Sequence, residues 1–355
     1  MIHPRPSPIA AALYTLRDME VDVIVMHGPA GCCFRTGRLL EDEGVRVITT
    51  AMGENDYIFG ASEKLTDAIV EADETFHPKT IGVVGTCASM IIGENMHDAA
   101  RDAGVEANII VVESHAGYAD GDNTAGAILA LNAACEAGII DEDEVKRQTL
   151  MLEKATELEK SRGMAKGGYI QPDYGDNKVK IAKIILDALE DGKNVSIVLN
   201  AKKETSYLFA DIMKIPWSKY YPENIPTFIG NLDENIGLPY IKDHAKVVNE
   251  NVDKKMDYIT GGLDEYPITG DKALEILKNL ESDLVIVLGV PHAVDVSQLN
   301  TTTIALTDGP RLVKPLRDMG FTYVVTELDA HSKTLGAKGI VTSEFAETIR
   351  GFLDS

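Results

Sequence analysis

The segments Val23-Ile24-Val25-Met26-His27-Gly28-Pro29-Ala30-Gly31-Cys32 and Ile81-Gly82-Val83-Val84-Gly85-Thr86-Cys87-Ala88-Ser89 share one plan. In each, a short apolar run breaks at small residues and passes into a helix-like stretch, with a cysteine at the junction. Strand followed by helix, repeated, is the pattern of a parallel sheet in an α/β fold. The exit edge of such a sheet is where open α/β proteins bind their ligands. A helix start there adds backbone N–H groups and a partial positive charge that favours a thiolate.

Outward from these two segments, Val21 to His27 reads as a strand, Cys32 to Glu43 as a helix, Val45 to Thr50 as a strand and Ser62 to Phe76 as a helix. Thr80 to Gly85 and Asn108 to Glu113 read as further strands, separated by a helix from about Ser89 to Ala103. Thr124 to Glu136 looks like an Ala/Leu-rich buried helix. Asp141 to Arg162 looks like a charged, exposed one whose acidic start suits a helix N-terminus. Gly163 to Gly175, with Gly167-Gly168 and Pro172, is the best linker. It divides the chain into a 1–165 Rossmann-like domain with the two cysteines and connector helices, and a 166–355 Rossmann-like region lining a cleft.

The second half repeats the alternation without a residue-level repeat. A helix with Ile181, Ile184, Ile185, Ala188 and Leu189 on one face precedes a strand at Val195 to Leu199. Strands are predicted at Leu284–Leu288, Thr302–Leu306 and Thr322–Thr326, and helices near Lys272–Leu280, Arg311–Met319 and Ser343–Leu353. Pro216 to Pro239, rich in Tyr, Pro, Asn and Gly, reads as a long loop of the kind that borders binding clefts.

A chain of 355 residues with 45% hydrophobic content can bury about two ordinary cores. Its 56 acidic against 34 basic residues give a formal charge of -22, which argues against nucleic acid or anionic membrane as the main partner. With no signal peptide and no apolar run of membrane-spanning length, a cytoplasmic protein is expected. Four cysteines without a dense framework suit a reducing compartment, where thiols serve as metal ligands or core residues.

Cys32 and Cys87 lie far apart in sequence, so spacing alone is weak evidence for a metal site, but their equivalent positions on two strands strengthen it. Small cysteines filling tight strand–helix turns are the alternative. That reading is preferred for Cys135, inside the Ala-rich helix, and for Cys33, whose side chain would point about 100° away from that of Cys32 around a helix. Cys33 is a reserve ligand.

The runs His27-Gly28-Pro29-Ala30-Gly31-Cys32, Glu54-Asn55-Asp56-Tyr57-Ile58-Phe59-Gly60-Ala61-Ser62 and Gly85-Thr86-Cys87-Ala88-Ser89-Met90-Ile91-Ile92-Gly93-Glu94 resemble the catalytic-component family of nitrogenase-like enzymes. Ser114-His115-Ala116-Gly117-Tyr118 resembles that family's Gly-aromatic turn. The matches span most of the first half, and the second half resembles the family in architecture. The short length and the opening from Pro4 to Asp18 are most similar to a member that acts on a nickel tetrapyrrole.

The resemblance implies Rossmann-like parallel-sheet domains of the nitrogenase component 1 type. It also implies an enzyme that reduces the macrocycle and closes a lactam ring from an acetamide side chain, within biosynthesis of a methanogen nickel tetrapyrrole coenzyme. An ATP-hydrolysing iron–sulfur reductase would be the partner and would carry the MgATP. No Gly-x4-Gly-Lys-Ser/Thr loop occurs in this chain, Gly336-Ala337-Lys338-Gly339 being the nearest approach, and no Gly-x-Gly-x-x-Gly follows a strand.

Large nitrogenase subunits carry another cluster cysteine upstream of the His-Gly-Pro-x-Gly-Cys run, whereas no cysteine precedes Cys32. A cubane takes four protein ligands, so a 4Fe-4S cluster shared by two identical chains, each giving Cys32 and Cys87, is the economical arrangement. Helix N-termini would add roughly 0.3 to 1 kcal/mol each, too little to replace a ligand.

A carboxylate-bearing macrocycle asks for an apolar slot rimmed by basic groups. Lys202 and Lys203 follow the strand near Asn200, His292 follows Gly289-Val290-Pro291, Arg311 opens a helix, and His331 follows the last strand. Lys202, His292, Arg311 and His331 are the candidate substrate contacts; solvated lysines, a helix-capping histidine and a structural salt bridge are their plain alternatives. No residue is selected as the catalytic acid. A cofactor-assembly scaffold of the same family, a protochlorophyllide-type tetrapyrrole reductase and a structural zinc protein remain the other readings.

Overall fold

The computed structural model describes residues 7–114, 123–164 and 168–354. They fall into two compact units that divide between Leu152 and Glu153. The division lies inside the helix Glu142–Ser161 and not at the Gly163–Gly175 linker. Beyond it, Leu158 packs with Val290 and Ala293, so the end of this helix is part of the second unit's core.

The first unit holds four parallel strands, β1 (Val23–His27), β2 (Arg46–Thr49), β3 (Thr80–Gly85) and β4 (Asn108–Val112), in the order β2-β1-β3-β4. The register pairs Val25 of β1 with Ile48 of β2 and Val83 of β3. One face is covered by Ser62–Phe76, whose Leu65, Ile69 and Ala72 recur at helical spacing, and by Met96–Asp102 through Met96 and Ala99. Pro8–Asp18 buries Ile9, Ala12, Leu13 and Leu16 and packs on Asn123–Glu136. Fully burying each such Leu or Ile contributes about 1.5–3 kcal/mol.

The second unit has six parallel strands, β5 (Val195–Asn200), β6 (Thr227–Gly230), β7 (Tyr258–Ile259), β8 (Leu284–Gly289), β9 (Thr302–Thr307) and β10 (Tyr323–Thr326), in the order β10-β9-β8-β5-β6-β7. Its core joins Val198, Ile229, Val285, Val287 and Ala305 of the sheet to Ala273, Leu277, Val313 and Leu316 of the helices. Lys178–Glu190 buries Ile181, Ile185 and Leu189.

Several boundaries differ from the sequence reading. The helix expected over Cys32–Glu43 is Phe34–Asp42, preceded by a turn in which Cys33 is left-handed at φ 50°. The helix expected over Ser89–Ala103 is two, Cys87–Ile91 and Met96–Asp102, broken where Gly93 takes φ 76°. Pro216–Pro239 is not one long loop: it contains the helix Trp217–Tyr220 and β6, and Trp217 is fully buried with its indole N–H on Ile212 O at 2.9 Å. Pro4–Pro6, His115–Tyr118 and Gly167 lie outside the described residues.

Among the described residues no helix is long and apolar enough to cross a membrane.

Candidate functional site

Both sheets reverse their winding direction once. In the first, the chain runs outward from β1 to β2, then crosses back to β3 and β4, so the switch lies between β1 and β3. Cys32 follows β1 and Cys87 follows β3. In the second, β5 leads out to β6 and β7, and β8 restarts on the other side of β5. Lys202 follows β5 and His292 follows β8. Ligands in open α/β sheets bind outside the strand ends at such a switch. Each unit therefore offers chemistry-bearing side chains at its own switch point.

At the first switch, Cys87 opens the helix Cys87–Ile91, with Thr86 as its N-cap. Thr86 N–H donates to Ser89 Oγ at 3.0 Å, and the Thr86 hydroxyl donates to His27 O at 3.0 Å. Cys32 sits in the turn whose N–H donates to Pro29 O at 2.9 Å. The turns come together because Gly28 has no side chain: a Cβ there would lie 2.1 Å from Thr86 Oγ1.

Cys32 does not stand at a helix start as expected: it lies in the turn two residues before the helix Phe34–Asp42. Burial first, then the neighbouring Cys87, push its thiol up, and the Thr86 hydroxyl partly opposes this. Burial and Cys32 push Cys33 up to about 11, against the Ser7 hydroxyl and helped by Cys87. The three sulfurs are thus electrostatic neighbours, with Cys33 held at a left-handed residue and not around a helix as expected. None of the cysteines forms a disulfide, and Cys135 is half-buried in its helix. Among the described residues no three His, Cys, Asp or Glu side chains converge as a metal-binding set.

Two residues of the quoted runs, His27 and Glu94, also meet at this switch point. His27 is fully buried, its Nδ1 3.1 Å from Thr50 Oγ1, while its Nε2 finds no hydrogen bond among the described residues and lies 3.7 Å from Glu94 Oε2. Burial lowers its pKa, and Glu94 opposes that. The other Glu94 oxygen accepts Ala61 N–H at 2.7 Å.

At the second switch, His292 is 2% exposed, with Nε2 3.2 Å from Glu159 Oε1. It does not cap a helix; it sits in the 3-10 turn Pro291–Ala293. Burial favours a neutral Glu159, but the His292 hydrogen bond and the charges of His292 and Lys202 outweigh it and hold the carboxyl at about 2. Lys202 is no solvated lysine. Burial disfavours its charge, yet Tyr266, Asp308, Glu159 and Glu204 raise its pKa above the usual lysine range. Its Nζ lies 5.8 Å from the Tyr266 ring centroid. Burial pushes the Tyr266 phenol up to about 12 against the field of Lys202.

The four basic candidates are therefore not equivalent. Lys202 and His292 meet around Glu159, which lies in a charged helix and carries no distinguishing sequence signal. His331, largely exposed, reaches Asp308 Oδ2 at 3.4 Å. Arg311 stands apart: the helix expected to open with it begins at Val313, and its exposed guanidinium lies 5.9 Å from the Tyr169 ring centroid. Lys203 lies 3.8 Å from Glu204.

Residues 7–161 match the nitrogenase component 1 type oxidoreductase family. Over nearly the whole chain, three proteins are similar, each named as component CfbD of the Ni-sirohydrochlorin a,c-diamide reductive cyclase complex. The one from Methanothermobacter thermautotrophicus is 57% identical, covering 98% of both chains. The one from Methanocaldococcus jannaschii is 50% identical, covering 98% of both. The one from Methanosarcina acetivorans is 46% identical, covering 99% of this chain and 96% of that protein. With its two parallel sheets and its paired cysteines at the first switch point, the chain belongs to the CfbD family of nitrogenase component 1 type proteins.

Proposed function

We propose that this chain is the macrocycle-binding catalytic component of a reductive cyclase complex acting on Ni-sirohydrochlorin a,c-diamide, reducing the ring and closing the lactam. It works as a homodimer in which Cys32 and Cys87 of both chains hold one 4Fe-4S cluster. A separate ATP-hydrolysing iron–sulfur reductase supplies the electrons, since this chain has no phosphate-binding loop of its own.

The observation that carries this reading is the side-by-side placement of Cys32 and Cys87 at one switch point. One chain brings two adjacent thiols where a cubane needs four protein ligands. A cluster bound there would relay single electrons. The chain's own part is to hold the thiols in register through the Gly28–Thr86 contact. Apolar side chains lie exposed on the flanking segments: Phe34 next to Cys33, Ile91 in the Cys87 helix, and Ile58 and Phe59 beyond β2. Such a patch on a strongly acidic protein suits burial against a second copy. The basic groups at the second switch point, Lys202 and His292, with His331 and Arg311 farther out, are assigned to the macrocycle side.

The test is anaerobic iron and sulfide analysis with sedimentation of wild type, Cys32→Ala, Cys87→Ala and Cys33→Ala, followed by incubation with Ni-sirohydrochlorin a,c-diamide, the reductase component and MgATP. About four iron and four sulfide per wild-type dimer are expected, lost in Cys32→Ala and Cys87→Ala and kept in Cys33→Ala. Zinc without sulfide, or a monomer holding a full cluster, would overturn the assignment.

A further inference from the structure

Tyr169 and Tyr174 are each 78% exposed, more than any other tyrosine among the described residues. Neither lies in a helix or strand, yet Tyr174 stands on a fixed backbone. Gly175 bridges antiparallel to Val325 on the outer edge of β10, the last strand of its sheet. Asp176 N–H donates to Val324 O at 2.7 Å, and Val324 N–H donates to Asp176 Oδ2 at 2.8 Å. The Thr326 hydroxyl donates to Tyr174 O at 2.7 Å. A side chain at Gly175, where φ is 75°, would put a Cβ 2.3 Å from Val324 O, so the approach needs glycine. The same segment reaches the loop after β9, where Asp173 N–H donates to Pro310 O at 2.9 Å. The backbone is thus held on two strand exits while the phenol ring is left uncovered.

Arg311 is the next residue of that loop. It is exposed, and its guanidinium lies 5.9 Å from the Tyr169 ring centroid. Among the described residues no carboxylate pairs with it. The other three basic candidates are already answered by acids: Lys202 and His292 by Glu159, and His331 by Asp308. On a chain of formal charge -22, a cation without a counter-charge beside two uncovered aromatic rings suits a flat ligand that carries carboxylates. Guanidinium presents a planar fork that matches a carboxylate with two parallel hydrogen bonds, and stacking on an aromatic ring orients the fork beforehand.

We infer that the macrocycle is received at the exits of β9 and β10, with one face against Tyr169 and Tyr174 and a peripheral carboxylate on the Arg311 guanidinium. The inference rests on the function proposed above and names the contacts of that reading. Leu328, 37% exposed just beyond the end of β10, adds apolar surface at the same edge. The rings supply apolar area, and the guanidinium supplies charge and direction. A second copy of this chain or the reductase would also cover exposed tyrosines. The position on the exit edge of the sheet, where open α/β folds take small ligands, and the pairing of flat rings with a carboxylate-directed fork favour the macrocycle.

Absorbance titration of the full-length protein with Ni-sirohydrochlorin a,c-diamide tests this, with sedimentation and iron content measured on the same samples. The three residues are exposed, so the variants should fold. Arg311→Gln is expected to weaken ring binding by about 10- to 100-fold, the loss of a hydrogen bond to a charged group. Arg311→Lys keeps the charge without the fork and should recover only part of this. Raising the salt concentration should weaken wild type more than Arg311→Gln. Tyr169→Ala and Tyr174→Ala should each cost about 2- to 10-fold, whereas Tyr169→Phe and Tyr174→Phe should bind as wild type does. All should keep the wild-type mass and iron content. Unchanged ring affinity in Arg311→Gln, or in Tyr169→Ala combined with Tyr174→Ala, would overturn the inference. So would loss of the dimer or of association with the reductase while ring affinity stays intact, because the face would then be a protein contact. If wild type itself did not bind the ring, the proposed function would fall, and the inference with it.

Discussion

Gly28 and Thr86 occupy space that permits no side chain on the former: a Cβ on Gly28 would lie 2.1 Å from Thr86 Oγ1 and 2.6 Å from Thr86 Cγ2. The turns bearing Cys32 and Cys87 are therefore in direct contact, and their sulfurs become neighbours without any covalent link.

Gly28→Ala should destabilise the first unit by about 1–3 kcal/mol, the usual range for overpacking a tight site, and should lower the iron content by separating the two turns. Adding Thr86→Ala removes the two closest atoms and should recover part of the loss, although it also removes a helix cap. Denaturant melts with iron analysis measure both effects. An unchanged midpoint in Gly28→Ala would contradict the close approach.

Ile58 and Phe59 are 72% and 84% exposed on the helix Glu54–Phe59. Ile58→Asp with Phe59→Asp should shift the protein from dimer to monomer in sedimentation while leaving circular dichroism intact. Burying two carboxylates without partners is costly enough to block association. A double variant that stays dimeric would place the dimer contact elsewhere.

Glu327 is fully buried, and its carboxylate accepts N–H from Phe345 at 2.7 Å and from Glu344 at 3.3 Å, with Lys333 and Lys178 at 3.6 and 3.7 Å. It ties the start of the helix Glu344–Leu353 to the end of β10. Glu327→Ala leaves these donors without an acceptor, and a loss of about 3–5 kcal/mol is expected. Glu327→Gln, which keeps one acceptor, should lose less in the same urea titration.

The Glu159 carboxyl, held at about 2, makes a directional pH prediction. Its folded value lies below the ordinary carboxylate value of about 4.3, so its stabilisation is complete above that pH and fades as pH falls toward 2. The size is on the order of 2–3 kcal/mol. Unfolding free energies of wild type and Glu159→Gln should differ most near neutrality and converge between about pH 4 and 2. A gap that widened on acidification would contradict the assignment.

The helix Ser62–Phe76 and the strand Thr80–Gly85 stand where the apolar pattern puts them: the helix buries one continuous face and stops where His77 takes a left-handed conformation just before Pro78, and the strand is an apolar run buried on both faces. The start of the next helix after β1 was less legible. Its displacement to Phe34 depends on a left-handed Cys33, and a non-glycine residue gives no sign of that conformation. The four-residue β6 was hidden for another reason. Flanked by Pro, Asn and Gly, Thr227–Gly230 is too short for alternation to show, and pairing with Ser196–Leu199 on one side and Tyr258–Ile259 on the other makes it a strand.

By itself the order of residues determined the α/β class and the positions of Cys32 and Cys87 at strand exits, since both follow from local apolar runs and the small residues that end them. Tertiary folding alone decided which charges meet. Glu159 reaches His292 across 133 residues of chain, and Lys202 lies within the field of Glu159, Asp308 and Tyr266 because β5 and β8 are adjacent in the sheet. A contact between residues so distant in sequence leaves no periodic trace, and it forms only where strand order brings their exits together.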